Sequence, residues 1–151
     1  MELRKDPITR SWVITGDEPD TAPTPPAGCA YCPDAAQQPQ TISSTPSLDG
    51  GSWSARAVVH PMPVYRIEGE PTRRAEGLYD TMRSVGAHEV LVENPKHDRH
   101  LWNASDAEIE QFLRLVAHRI QDLKRDRRFK YVTVFKNHGF VAGQEFDHPT
   151  S

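Results

Sequence analysis

Apolar residues recur in two different rhythms along this chain. Between Ser105 and Asp126, the residues Ile109, Phe112, Leu113, Val116, Ile120 and Leu123 fall at helical intervals on one face. Ser105-Asp106-Ala107-Glu108 has the spacing of a capping box, so a helix is predicted over about 105–126. Elsewhere the period is two. His88 to Glu93 (HEVLVE) and Tyr131 to Phe135 (YVTVF) read as good strands, with Trp12 to Thr15 (WVIT, after a DPIT turn) and Ala55 to His60 (ARAVVH) as shorter ones. Pro61 and Pro63 limit pairing, which leaves Val64 to Ile67 (VYRI) as a candidate edge. Residues 33–52, PDAAQQPQTISSTPSLDGGS, are polar and poor in large apolar groups, and a mobile loop is expected there. NHGFVAG is a glycine turn. Several strands and one long amphipathic helix predict an α+β domain, an antiparallel sheet covered on one face.

Size and charge narrow the classes of function. At 151 residues the chain is expected to form one compact unit. A net charge of −3 offers no basic surface for nucleic acid or an anionic membrane, and RRFK (Arg127 to Lys130) reads as a solvated helix end. No apolar stretch approaches the roughly 20 residues that cross a bilayer. MELRKDPITR also lacks the apolar segment of a secretory signal, so a cytoplasmic location is expected. The two cysteines, Cys29 and Cys32 in GCAYCPD, form a close pair that in a reducing compartment serves metal or redox chemistry more often than a disulfide.

A C-x-x-C knuckle delivers two thiolates from one tight turn, and zinc needs about four convergent ligands. A thioredoxin-like reading is weaker, because proline-rich loop precedes the pair and polar loop follows it. The remaining ligands must come from the seven histidines. His118 is mid-helix and reads as a surface or packing residue, and His88, opening a strand, as structural. His97 and His100 lie after the HEVLVE strand and His148 after the last one, so neighbouring strands would bring these loops to the knuckle. The alternative is a set of surface histidines.

The segments ELRKDPITRSWVI, CAYCP, RIEGEPTRRAEGLYD, GAHEVLVENPKHDRH, RFKYVTVFKNHG and AGQEFDHP, in this order, resemble the N-terminal half of the galactose-1-phosphate uridylyltransferases, enzymes of galactose metabolism in the histidine-triad superfamily. The resemblance implies a half-barrel antiparallel sheet with a long amphipathic helix packed on it. It implies nucleotidyl transfer between a UDP-sugar and a hexose 1-phosphate through a uridylyl-histidine. It also implies a structural zinc held by CxxC, the histidine of the NP-x-H loop and the first histidine of a terminal H-x-H motif, here Cys29, Cys32, His97 and His148.

The second histidine of H-x-H, the family's nucleophile, is replaced by Thr150. Imidazole attacks phosphorus as a neutral base and then leaves readily, whereas a threonine hydroxyl needs a dedicated base and its ester would be a poor donor. The usual cycle is therefore not expected from this chain. Where the family places basic residues after WVI, Gly16-Asp17-Glu18-Pro19-Asp20 brings three carboxylates, which oppose a diphosphate. At family substrate-contacting positions Asn137 is retained, whereas Glu145 stands for a serine and His60 for an asparagine. The alternative to an enzyme is a non-catalytic, zinc-stabilised module that binds or senses a nucleotide, UDP-sugar or sugar phosphate. The family's C-terminal half is not in this chain, so that half or a homodimer partner is expected to cover the sheet edge.

Overall fold

The computed structural model describes residues 1–16 and 28–151, so Asp17, Glu18 and Asp20 lie outside the described residues. The chain divides into two compact units, Met1–Thr24 with Met62–His88 and Pro25–Pro61 with Glu89–Ser151. The architecture is α+β, with two antiparallel sheets and one long helix. Among the described residues no helix is long and apolar enough to cross a membrane.

The first unit is a four-stranded sheet in the order β2-β1-β6-β5, built from β1 (Glu2–Lys5), β2 (Trp12–Thr15), β5 (Arg74–Glu76) and β6 (Tyr79–Arg83). The DPIT turn forms because the Asp6 carboxylate accepts from the backbone N–H of Ile8 at 2.7 Å and of Thr9 at 3.2 Å. These bonds hold its carboxyl below the usual range. β5 and β6 lack apolar alternation, which hides them in the sequence; Gly77, with φ of 59°, supplies the tight turn between them. The expected VYRI edge is reduced to a single bridge, Arg66 to Val85.

The second unit holds the sheet β3-β4-β7, from β3 (Thr41–Ser44), β4 (Arg56–Val59) and β7 (Glu89–Val92). Ala57 pairs with Leu91 and Val58 with Val90, so the period-two alternation sorts side chains onto two faces. On one face Ala55, Ala57 and Leu91 meet Phe112 and Leu115 of the helix α1 (Asp106–Leu123). Two alanines at the contact let the helix approach closely. On the other face Val58, Val90 and Val92 pack with Tyr31 and Trp53, against which Cys29 and Phe146 lie. β7 is paired on its second edge as well. Leu91 and Ser151 exchange both backbone hydrogen bonds at 2.9 and 3.0 Å, the Glu93 N–H donates to the Pro149 carbonyl, and Val92 faces Thr150.

α1 begins as expected. The Ser105 side chain accepts from the Glu108 N–H, and the Glu108 carboxylate accepts from the Ser105 N–H at 2.7 Å. Burial works against the charge on Glu108, yet bonds from the Ser105 backbone, Arg99, the Ser105 hydroxyl and Asn94 bring its carboxyl down to about 2. The predicted apolar face is corrected in one respect: Leu113 is 57% exposed, and Leu115 is the residue on the sheet side. A guanidinium completes that face, where Arg119 is buried against Glu89 of β7 in a two-point pair at 2.8 Å.

Two further expectations change. β3 falls inside the stretch 33–52 read as loop, because Thr41 and Ser43 satisfy their backbone against β4 although their side chains carry no hydrophobic signal. Tyr131 to Phe135 is extended but is not a strand: Tyr131 is 83% and Phe135 63% exposed, and the free edge of β7 is taken by residues 149–151. Alternation specifies an extended backbone; a strand also needs a partner.

Leu115→Ala should lower unfolding free energy by about 2–5 kcal/mol, as for other buried leucines. Leu113→Ala should change it by no more than about 0.5 kcal/mol. Urea unfolding of the two variants checks the assignment, and equal losses would refute it.

Candidate metal centre

The knuckle closes as a turn. The Cys32 N–H donates to the Cys29 carbonyl at 3.3 Å, the Tyr31 N–H reaches Cys29 Sγ at 3.4 Å, and Gly28 ahead of it takes φ of 97°. Tyr31 is buried between the two sulfurs in sequence; its ring meets Phe146 edge-on at 4.9 Å and lies 6.2 Å from His148. The side chain thereby ties the knuckle to the segment that carries His148.

His148 is wholly buried. Its Nε2–H donates to the Asn94 carbonyl at 2.8 Å, which leaves Nδ1 with a free lone pair. That nitrogen faces Cys29 Sγ at 3.4 Å and Cys32 Sγ at 3.7 Å, while His97 Nδ1 lies 3.6 Å from Cys32 Sγ. The four donor atoms of Cys29, Cys32, His97 and His148 all lie within 4.8 Å of one another. A tetrahedral ion with bonds of about 2.3 Å to sulfur and about 2.0 Å to nitrogen needs sulfur–nitrogen separations of about 3.5 Å, so the spacing fits a metal. Burial pushes the Cys32 thiol up to about 11, reinforced by its hydrogen bond with Cys29, and burial pushes His148 down.

The loop that supplies His97 is anchored to the helix. Asn94 Nδ2 donates to Glu108 Oε1 at 2.9 Å, and Arg99 Nε donates to the same carboxylate at 3.1 Å. Helix cap, loop and His148 are thus one hydrogen-bonded chain, since the Asn94 carbonyl also fixes the His148 ring.

The other candidate positions are placed as follows. His100 is outside the cluster; it stacks on Trp102 at 4.1 Å, with the His138 ring edge-on to both. His118 is exposed beside Ser43, and His88 accepts from the Val64 N–H, as a structural histidine would. His60 and Glu145 come together at 3.2 Å, with the His60 ring 5.7 Å from Phe146. Asn137 donates across its turn to the Gly143 carbonyl at 3.4 Å. Thr150 bridges to Val92 of β7, two residues beyond His148. Reading the sequence missed Arg56, whose side chain reaches the knuckle, and the buried Glu93, which binds Lys136 at 2.7 Å and Ser151 at 2.6 Å. Their one signal is a charge placed within an otherwise apolar strand.

Comparison with known proteins places the chain. The model of the domain of unknown function DUF4931, N-terminal domain, matches residues 77–151. ADP-glucose phosphorylase of Arabidopsis thaliana is 28% identical over 165 residues, covering 99% of this chain and 47% of that protein. Galactose-1-phosphate uridylyltransferase of Thermotoga maritima is 28% identical over 151 residues, covering 99% and 44%. Among solved structures, a uridylyltransferase superposes with a TM-score of 0.78 at 26% identity, covering 99% of this chain and 44% of that one. The Arabidopsis ADP-glucose phosphorylase with bound ADP-glucose gives 0.69 at 26% identity, covering 99% and 47%. Proteins of the galactose-1-phosphate uridylyltransferase family, among them the two relatives just named, are thus similar to nearly the whole of the chain. It spans a little under half the length of these relatives, an extent that fits the family's N-terminal half.

Metal uptake should require both thiols and His148. Cys29→Ser, Cys32→Ser or His148→Ala should each abolish stoichiometric retention through a desalting column. Because binding displaces thiol protons, apparent affinity should rise with pH by about tenfold per unit for each proton released. Chelator competition between pH 6 and 8 measures the slope, and a flat profile would exclude thiolate ligation.

Proposed function

We propose that this chain is a zinc-stabilised nucleotide-sugar or sugar-phosphate binding domain that does not form the covalent nucleotidyl intermediate of its relatives. The observation that carries the reading is the pair of positions two residues apart in the terminal segment beside β7, where residue 148 is a histidine held by Asn94 and residue 150 is threonine. A family nucleophile is an imidazole; a threonine hydroxyl needs a base positioned to take its proton. His148 is a poor candidate for that base, since Nε2 is committed to the Asn94 carbonyl and Nδ1 to the thiol pair.

Two thiolates and two imidazoles in a tetrahedral arrangement favour zinc among the biological divalent ions. Cys29, Cys32, His97 and His148 would all hold it, leaving no open position, so its contribution is to join the knuckle, the loop after β7 and the terminal segment. The half-barrel of the histidine-triad superfamily is the architecture this reading assigns to the sheet β3-β4-β7 and its terminal extension. Reduced cysteines suit the cytoplasm.

The ligand class is taken from the similarity to nucleotide-sugar proteins, including a solved structure that holds ADP-glucose. His60 and Glu145 replace a neutral asparagine and serine with a mutually bonded acid and base. A carboxylate there disfavours a fully ionised phosphate and favours the sugar or base hydroxyls of a ligand as donors.

Incubation with UDP-glucose or ADP-glucose should leave the intact mass unchanged, while calorimetry detects binding. A uridylyl or adenylyl adduct would overturn the non-covalent reading. Absence of binding to either nucleotide sugar and to hexose 1-phosphates would overturn the ligand class. Thr150→His asks whether the imidazole alone restores an adduct; none is expected while Glu145 and His60 remain.

A further inference from the structure

Among the described residues, the least exposed arginine or lysine of the second unit has no carboxylate bonded to it. Arg56, in the centre of the sheet, is 2% exposed. Its guanidinium lies 4.6 Å from the Trp53 ring centroid, its Nη1 donates to Gln38 Oε1 at 2.6 Å, and its Nη2 donates to the Tyr31 carbonyl at 3.0 Å. Nε is buried without a partner. A buried charge is costly unless something nearby repays the lost hydration. The backbone carbonyl that accepts from it belongs to Tyr31, inside the knuckle.

Resting on the metal reading above, we infer that Arg56 is the positioning residue of the metal centre. Its fork fixes the carbonyl inside Cys29-Ala30-Tyr31-Cys32 and so brings a positive charge to the turn that carries both sulfurs. A dication with two thiolates and two neutral imidazoles has no net charge, yet its negative density sits on sulfur. Two N–H donors that reach Gln38 and the Tyr31 carbonyl at once, with the guanidinium over the Trp53 ring, require guanidinium geometry; a lysine would bring the charge without the fork. Gln38, in the stretch that reads as loop, acquires a role as the second anchor of that fork.

The test uses the full chain stripped of metal, titrated with Co2+ and then competed with Zn2+. R56M should bind about 10–100-fold more weakly than the native chain, the cost typical of losing a group that orients metal ligands. Its sulfur-to-cobalt charge-transfer band should move to lower energy, because a cation beside a thiolate stabilises the donor electrons; loss of packing alone would not move it. R56K should keep the band near its native position and lose part of the affinity. Q38A, which keeps the charge but frees one arm, should lose affinity with the band unmoved. R56M with native affinity and an unmoved band overturns the inference. If R56M fails to fold, R56K with fully native affinity overturns it in the same way. A native chain that takes up no metal sinks the metal reading as well, whereas uptake with an unaltered R56M sinks this inference alone.

Discussion

Everything in the second unit is arranged around a histidine that water cannot reach. A buried imidazole must satisfy two nitrogens, and His148 does so in opposite directions, donating to the Asn94 carbonyl and offering Nδ1 to Cys29 and Cys32. The first bond pulls in the loop after β7, which the helix cap holds through Glu108; the second pulls in the knuckle. Segments separated by 54 and 119 residues are brought to one point. The small apolar clusters on the two sheet faces do not have to supply that cross-linking alone. A metal at the four donors would stabilise the native arrangement by mass action, since the unfolded chain has no such convergence.

The helix and the main strands are legible in the sequence because they alternate in hydrophobicity at the period of their backbone. The capping box is legible for the same reason, as local chemistry at fixed spacing. β3, β5 and β6 are not, since their pairing is decided by neighbouring backbone while their side chains are largely polar or exposed. YVTVF shows the reverse error: it has the strand pattern, but the edge it would need belongs to the residues after Asp147. Leu113 and Leu115 differ by 200° around a helix, so the sheet accepts one and excludes the other; a count of apolar residues cannot choose between them. The choice of His97 over His100 came from family resemblance, and the distances to Cys32 agree with it. The contact of Glu145 with His60 was legible only as two separate departures from a pattern. Arg56 left almost no trace, because an arginine between alanines reads equally as an outward-facing position.

In the proposed reading, His148 and residue 150, two positions apart, carry separable duties. His148 organises three segments, so its loss would disturb the fold. Residue 150 pairs with Val92 through the backbone, and a threonine, β-branched and well suited to a strand, preserves that pairing. Position 150 can therefore vary with little demand from this pairing, whereas the buried His148 is tied to Asn94 and to the thiol pair.

That asymmetry extends to charge. A thiolate pair buried next to apolar rings would be opposed by burial, as the rise of Cys32 to about 11 illustrates. Arg56 on β4 brings a positive charge to the Tyr31 carbonyl between the two cysteines, itself held by the Trp53 indole and a neutral amide. Had an acidic residue partnered Arg56, its charge would have been spent before reaching sulfur. Leaving the guanidinium without one makes it costly in isolation and useful in the presence of two sulfurs that must lose their protons. The same residue thus belongs at once to the central strand, to the Trp53 core and to the electrostatics of the metal site, which accounts for a cation at one of the least accessible points of the sheet.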